Sequence, residues 1–223
     1  RGFAIFGMIL VNYLGYFEAI PDTFKHPRYG MTFANAIAPY FLFVVGMGFR
    51  MSLMRRIQQS GTKTAYWHAF KRYWILILIG VVVYGPDPVT DMWDALVDIG
   101  FAGLLTLPFI VENQITRFVM AFAYLILYQL LFTYTGYGTW TMANSIDGGP
   151  LGPLSWASIL VFGTIQMDYL KQSSGRQFIL RSLYLGVPLM VLGYSLSMLE
   201  PYELWEFSQR SMTVAYPLFS AGL

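Results

Sequence analysis

Long apolar stretches divide the chain into segments of about the length that crosses a bilayer. A helix needs roughly 20 mostly apolar residues to cross about 30 Å of hydrocarbon. None of these stretches alternates apolar and polar residues as a half-buried strand does. The pattern therefore predicts an all-α fold, a polytopic membrane helix bundle of about seven or eight transmembrane helices. The predicted spans are residues 3–20, 33–54, 68–85, 94–111, 115–134, 153–170, 178–199 and 211–223.

Residues that cannot continue a helix lie between the stretches. They form the segments 85–88 (GPDP), 148–150 (GGP) and 200–201 (EP). We interpret residues 1–223 as a single transmembrane domain. Because the sequence begins at Arg1 without a methionine and stops at Leu223 inside an apolar run, we expect it to be truncated at both ends.

The composition agrees with a membrane environment. Hydrophobic residues make up 56% of the chain and charged residues 12%, and the mean hydropathy is +0.51. A soluble domain carries roughly twice that charged fraction. The chain contains no cysteine, which excludes disulfides, thiolate catalysis and cysteine-ligated metal sites. It also lacks a phosphate-loop glycine pattern and the HExxH and Gly-x-Ser-x-Gly motifs, and we predict no metal site.

Basic residues collect on alternate sides of the predicted spans. If the first span runs outward from a cytoplasmic Arg1, all of the 14 basic residues lie on the inner side except Lys25, Arg28 and Arg210. Most acidic residues, which were not used to choose the orientation, lie on the opposite side. Cytoplasmic loops of membrane proteins are enriched in Lys and Arg, so we predict that the loop with His26 is extracytoplasmic. Because the basic residues occupy short loops rather than one face, they argue against a nucleic-acid partner.

Five short segments resemble, in the same order, the heparan-α-glucosaminide N-acetyltransferase family. They are residues 8–12 (MILVN), 26–32 (HPRYGMT), 39–46 (PYFLFVVG), 147–151 (DGGPL) and 213–223 (TVAYPLFSAGL). The resemblance implies a transmembrane acyltransferase that takes an acetyl group from acetyl-CoA on the cytoplasmic side and passes it to an amino sugar on the far side.

The resemblance implies His26 as the catalytic centre. A neutral imidazole can take a proton from an attacking amine or hydroxyl, or carry the acyl group itself. Asn12 and Asp147 are the further catalytic candidates, because they can orient the imidazole or hold the acceptor.

Several positions depart from the family's pattern. Asn35 stands where the pattern has Asp, and Gln209 and Met212 stand where it has Lys and Trp, although Arg210 is one step from the Lys position. These departures leave a second hypothesis open, in which a catalytically degenerate protein serves as a structural or accessory subunit of a larger membrane complex. A transporter ranks last because the chain shows no matched broken helices in two halves.

Four arginines on the predicted inner side are the candidates for binding the donor. Arg50, Arg55, Arg56 and Arg72 can pair with the phosphates of acetyl-CoA or another acyl-CoA, the expected co-substrate. The alternatives are that these side chains only orient the protein, snorkel to the interface, or meet anionic lipid. Besides the lipid bilayer, the expected partners are subunits of a membrane complex or a second copy of the chain.

Three further expectations concern packing. We expect His68 to lie at the membrane interface and Asp168 to pair with Lys171 at the end of their shared helix. Gly46 and Gly163 are expected to let neighbouring helices approach closely.

Overall fold

The computed structural model describes residues 2–15, 17, 19–87, 89 and 92–223. Arg1, the reference for the predicted orientation, lies outside the described residues. Within these ranges the chain forms α-helices and no β-strand, so the all-α prediction is confirmed. The helices are α1 (Gly2–Leu14), α2 (Phe33–Ser60), α3 (Thr62–Tyr84), α4 (Ala95–Thr106), α5 (Gln114–Tyr134), α6 (Tyr137–Asn144), α7 (Gly152–Gln172), α8 (Gly175–Leu196) and α9 (Ala215–Gly222).

Four helices of the described part are long and apolar enough to cross a membrane. These are α2, α3, α5 and α8. The apolar helix α1 is shorter, as is the segment Ala95–Phe109, in which a 3-10 turn extends α4. The predicted count of seven or eight transmembrane helices is therefore not confirmed.

Several predicted boundaries differ from the structure. The first helix ends at Leu14 rather than near residue 20, and the last helix begins only at Ala215 rather than near residue 211. The short helix α6 follows Gly136, whose φ of +75° favours glycine, and its eight residues are too few to appear as an apolar stretch. By contrast, α5 begins and ends within one residue of its prediction.

Helix α7 lies at the centre of the bundle and packs against α2, α4, α5, α8 and α9. Almost every residue from Gly152 to Asp168 is buried. A methyl group added at Gly46 would lie 2.0 Å from the backbone oxygen of Leu160, and one at Gly163 would lie 2.1 Å from that of Phe43. The expected close approach at these two glycines is confirmed, and it sets the contact between α2 and α7.

Asp168 joins three helices near the end of α7. Its carboxylate accepts from Nε of Arg50 at 3.0 Å and from Nη2 at 3.3 Å. It also accepts from Nη2 of the fully buried Arg117, whose Nη1 donates to Thr164 at 2.8 Å. The expected pair with Lys171 is therefore wrong, because Asp168 faces α2 and α5 inside the bundle rather than the exposed side of its own helix.

Candidate functional site

A pocket of about 420 Å³ lies where the end of α1 meets the loops that precede α2, α4 and α9. The three residues predicted to be catalytic, Asn12, His26 and Asp147, all line it. Asn12 comes from α1, His26 from the loop before α2, and Asp147 from the loop after α6. The fold thus brings together side chains that are far apart in the sequence, while their catalytic roles stay a prediction.

The loop that carries His26 is tied to the start of α2. The hydroxyl of Thr32 caps the helix by accepting from the backbone N–H of Asn35 at 3.3 Å, and it donates to the carbonyl of Lys25 at 3.0 Å. Gly30 has a φ of +95°, and its N–H donates to the carbonyl of Phe207 at 2.8 Å. These bonds hold His26 on an anchored turn beside the helix.

The side chain of Asn35 is fully buried, and its amide nitrogen determines which way the amide points. Nδ2 donates to the carbonyl oxygens of Gly30 at 3.2 Å and Pro27 at 3.4 Å. The opposite orientation would set an oxygen against two oxygens, so these contacts assign the nitrogen and the oxygen. Oδ1 consequently faces Nδ1 of His26 at 2.9 Å.

This contact selects one tautomer of His26. The amide oxygen of Asn35 can only accept a hydrogen bond, so Nδ1 of His26 must carry the proton. In the neutral ring Nε2 then has the free lone pair. Nε2 is therefore the atom that can take a proton or attack a carbonyl carbon.

Asp147 is buried at the edge of the same pocket. Nε2 of Gln209 donates to its carboxylate at 3.2 Å, and the indole N–H of Trp156 donates to its backbone oxygen at 3.1 Å. Burial, followed by the negative charge of Asp94, raises the pKa of Asp147 to about 7, against a smaller lowering by the Gln209 amide. The carboxyl group thus gains and loses a proton near neutral pH, which suits a general base.

Two arginines that the sequence analysis did not assign to the site also line the pocket. Nη2 of Arg28 donates to the carbonyl of Met142 at 2.8 Å, and Nε of Arg210 donates to that of Ser145 at 2.7 Å. Both belong to the three basic residues that do not follow the charge sorting. Their position on the predicted outer side, where few basic residues lie, is the feature of the sequence that could have identified them as candidates.

Residues 1–199 match the family model described as heparan-alpha-glucosaminide N-acetyltransferase, catalytic. The chain belongs to the heparan-alpha-glucosaminide N-acetyltransferase family. It is accordingly an acyltransferase-like membrane protein, of a family that in general uses acetyl-CoA as donor.

The match ends before residues 213–223, so the likeness of that segment to the family's last motif stays a prediction. A search of curated proteins found no match. Among the described residues, no group of three or more His, Cys, Asp or Glu side chains is arranged to hold a metal ion.

Two residues that are predicted to depart from the acetyltransferase pattern, Asn35 and Gln209, line this pocket. At Asn35, where the pattern is expected to have an aspartate, the amide oxygen accepts the Nδ1–H of His26 as a carboxylate would. Gln209, predicted to stand at a lysine of the pattern, lies beyond the matched residues 1–199 and gives Asp147 a neutral donor. The pKa of Asp147 stays at about 7 because the hydrogen bond from Gln209 lowers it less than burial and the charge of Asp94 raise it.

The predicted donor-binding arginines lie toward the opposite end of α2. At a rise of 1.5 Å per residue, Arg56 is about 32 Å from Asn35 along the helix. Arg56 and Arg72 line one small cleft, and Arg55 is exposed outside it. Arg50 points elsewhere, because its nitrogens donate to Asp168 and to the carbonyl of Ile110. The fold brings two of the four predicted arginines together.

Proposed function

We propose that this protein transfers an acyl group from acyl-CoA to a sugar-type acceptor bound in the pocket at His26. The donor enters from the cytoplasmic side, where we place Arg1, and the acceptor approaches from the extracytoplasmic side. The observation that supports the proposal best is the 2.9 Å contact between Nδ1 of His26 and Oδ1 of Asn35. It leaves Nε2 available inside a pocket that Asn12 and Asp147 also line.

Nε2 of His26 is the proposed reacting atom. In one route it attacks the thioester carbonyl carbon, the C–S bond breaks, and coenzyme A leaves as a thiolate that takes up a proton. The amine or hydroxyl of the acceptor then attacks the acyl-imidazole and gives its proton to the carboxylate of Asp147. The bond from carbon to Nε2 breaks with its electron pair returning to the ring, and an amide or ester forms. In the other route Nε2 removes the acceptor's proton while the acceptor attacks the thioester directly. The C–S bond breaks, and coenzyme A leaves as a thiolate that takes up the proton from Nε2.

Asp147 and Asn12 complete the proposed site. An attacking amine must lose a proton, and a carboxyl group with a pKa of about 7 can accept it at neutral pH. The amide of Asn12 offers one donor group and one acceptor to the hydroxyls of a sugar. The sugar is thereby held with its nucleophile near Nε2.

The donor's phosphates are proposed to lie toward the other end of α2. Arg55, Arg56 and Arg72 are the candidates, since guanidinium groups pair well with phosphate. Arg50 is left out of this set because Asp168 already binds its guanidinium group.

The test compares a His26→Ala variant with the parent, both reconstituted with acetyl-CoA and amino-sugar acceptors. We expect transfer to fall by about 100-fold or more, the contribution typical of a general base. Asp22→Asn is the matched control, since Asp22 belongs to the same loop and its side chain is almost fully exposed. Undiminished transfer by His26→Ala would remove this residue from the mechanism.

The alternative function is that of a non-catalytic subunit of a membrane complex. It is supported by Gln209 and Met212, which stand where the family's pattern has Lys and Trp. Co-purification with other membrane subunits, without a thermal shift on adding acyl-CoA, favours this alternative. Acyl transfer by the purified parent protein contradicts it.

A further inference from the structure

A small basic cleft lies between α2 and α3, toward the end of α2 opposite to Asn35. Its volume is about 100 Å³. Arg56 reaches it from α2, and His68 and Arg72, one helical turn apart, reach it from α3. The cleft has no part in the chemistry proposed at His26.

The positive charge of the cleft is not neutralised within the described part of the chain. Residues 23–86, which include all of α2 and α3, contain no Asp or Glu. The ion pairs in the described residues use Lys25, Arg50 and Arg117, and none involves Arg56 or Arg72. Arg50, less than two turns from Arg56 on the same helix, has its carboxylate partner. The two arginines of the cleft therefore remain available for an anion.

The floor of the cleft is apolar and closely packed. Leu53 and Phe49 from α2 and Ala65 and Ala69 from α3 are buried beneath the basic side chains. The two alanines are small enough to let the helices approach. These apolar atoms keep water away from one side of a bound anion and so strengthen its attraction to the guanidinium groups, while the exposed His68 and Arg72 leave its other side open to solvent. The volume is about that of three water molecules, which suits one phosphate group and not a nucleotide.

We propose that Arg56, His68 and Arg72 form a binding site for a phosphate group. Guanidinium groups donate two parallel hydrogen bonds to phosphate oxygens, and the imidazole N–H of His68 adds a third donor group. The phosphate has two possible sources: coenzyme A, which rests on the proposed function, or the headgroup of an anionic phospholipid. Exposed Trp67 and Trp74 on α3 are the kind of side chain found at a headgroup layer.

The experiment measures binding rather than transfer, so its outcome does not depend on the chemistry at His26. The protein is placed in phosphatidylcholine nanodiscs and titrated with coenzyme A in a calorimeter. In a separate arm, retention of phosphatidic acid is measured by native mass spectrometry. The test variant is Arg56→Gln/Arg72→Gln. The control, Lys63→Gln/Lys71→Gln, removes the same charge from exposed residues of α3 that do not line the cleft.

We expect the test variant to bind at least one of the two probes about tenfold or more weakly, and the control to change by less than about threefold. The probe whose binding is weakened identifies the source of the phosphate. His68→Leu, which keeps both arginines, should weaken binding of the same probe. The proposal is overturned if the parent binds neither probe, if the test variant binds both as the parent does, or if the control loses as much.

Discussion

The amide oxygen of Asn35 lies 2.9 Å from Nδ1 of His26, nine residues away in the chain. The amide nitrogen of the same side chain is held by the carbonyls of Pro27 and Gly30, in the loop that carries the histidine. One buried side chain thus fixes both the path of the loop and the protonated nitrogen of the ring. In the proposed reaction, Asn35 acts through His26 as a positioning residue.

Replacing Asn35 should separate this positioning role from simple substrate binding. In Asn35→Leu the ring loses its acceptor, so we expect kcat to fall by about 10- to 100-fold, as when a partner that orients a histidine is lost. The KM should change little. Asn35→Asp keeps an acceptor for Nδ1–H and should retain most of the activity. Steady-state kinetics on folded variants measures kcat and KM. An unchanged kcat in Asn35→Leu contradicts the positioning role of Asn35.

The charge next to Asp147 should set the pH dependence of transfer. If the carboxylate of Asp147 accepts the proton, activity rises with pH through the pKa of about 7. Gln209→Lys places an ammonium group beside this carboxylate and should move the midpoint down by about one pH unit or more. Gln209→Met, which removes the amide without adding charge, should not move it down. A profile identical in all three proteins would exclude Asp147 as the base.

Asp147 should also make stability depend on pH. Its pKa is raised from the ordinary 3.8 to about 7, so the folded protein binds this proton more tightly than the unfolded chain. The resulting stability is fully present below about pH 4 and is lost as the pH rises to about 7. Asp147→Asn should therefore be more stable than the parent at pH 8, by at most about 4 kcal/mol. Thermal unfolding at pH 5 and pH 8 tests this, and an equal difference at both pH values refutes it.

Asp168 should be needed for the integrity of the bundle. It is the carboxylate shared by Arg50 and the fully buried Arg117. Asp168→Asn leaves both guanidinium groups without a negative charge, and we expect a loss of about 3–5 kcal/mol in the free energy of unfolding. Lys171→Gln, an exposed change on the same helix, is the control and should have little effect. Similar melting temperatures for the two variants argue against the shared ion pair.

The contact between α2 and α7 should not tolerate a methyl group. At Gly46 and Gly163 an added Cβ would lie 2.0 Å and 2.1 Å from backbone oxygens of the facing helix. Unlike a side chain, these backbone atoms cannot relieve the clash by changing rotamer. We expect Gly46→Ala and Gly163→Ala each to cost about 2 kcal/mol or more. Gly175→Ala, where the added atom meets nothing within 4 Å, is the matched control. The melting temperature of each variant in detergent provides the measurement.

Most of the helices could be predicted from the sequence alone. Apolar runs and the breaks at Gly and Pro depend only on neighbouring residues, and this is why α5 was located within one residue. The same reasoning missed α6, which has too few residues to form an apolar run. The predicted count of seven or eight spans is not confirmed, because only four helices of the described part are long and apolar enough to cross a membrane.

The sequence by itself determined the helical class, the apolar character of the chain and the candidate residues His26, Asn12 and Asp147. Only the tertiary structure decided which of those groups meet. Gln209 reaches Asp147 across 62 residues, and Arg50 reaches Asp168 across 118. Such pairs depend on which helix faces pack together and at what register, which Gly46 and Gly163 set between α2 and α7. Local sequence does not indicate a partner so far along the chain, so the contacts of Asn35, Gln209 and Asp168 could be seen only in the folded protein.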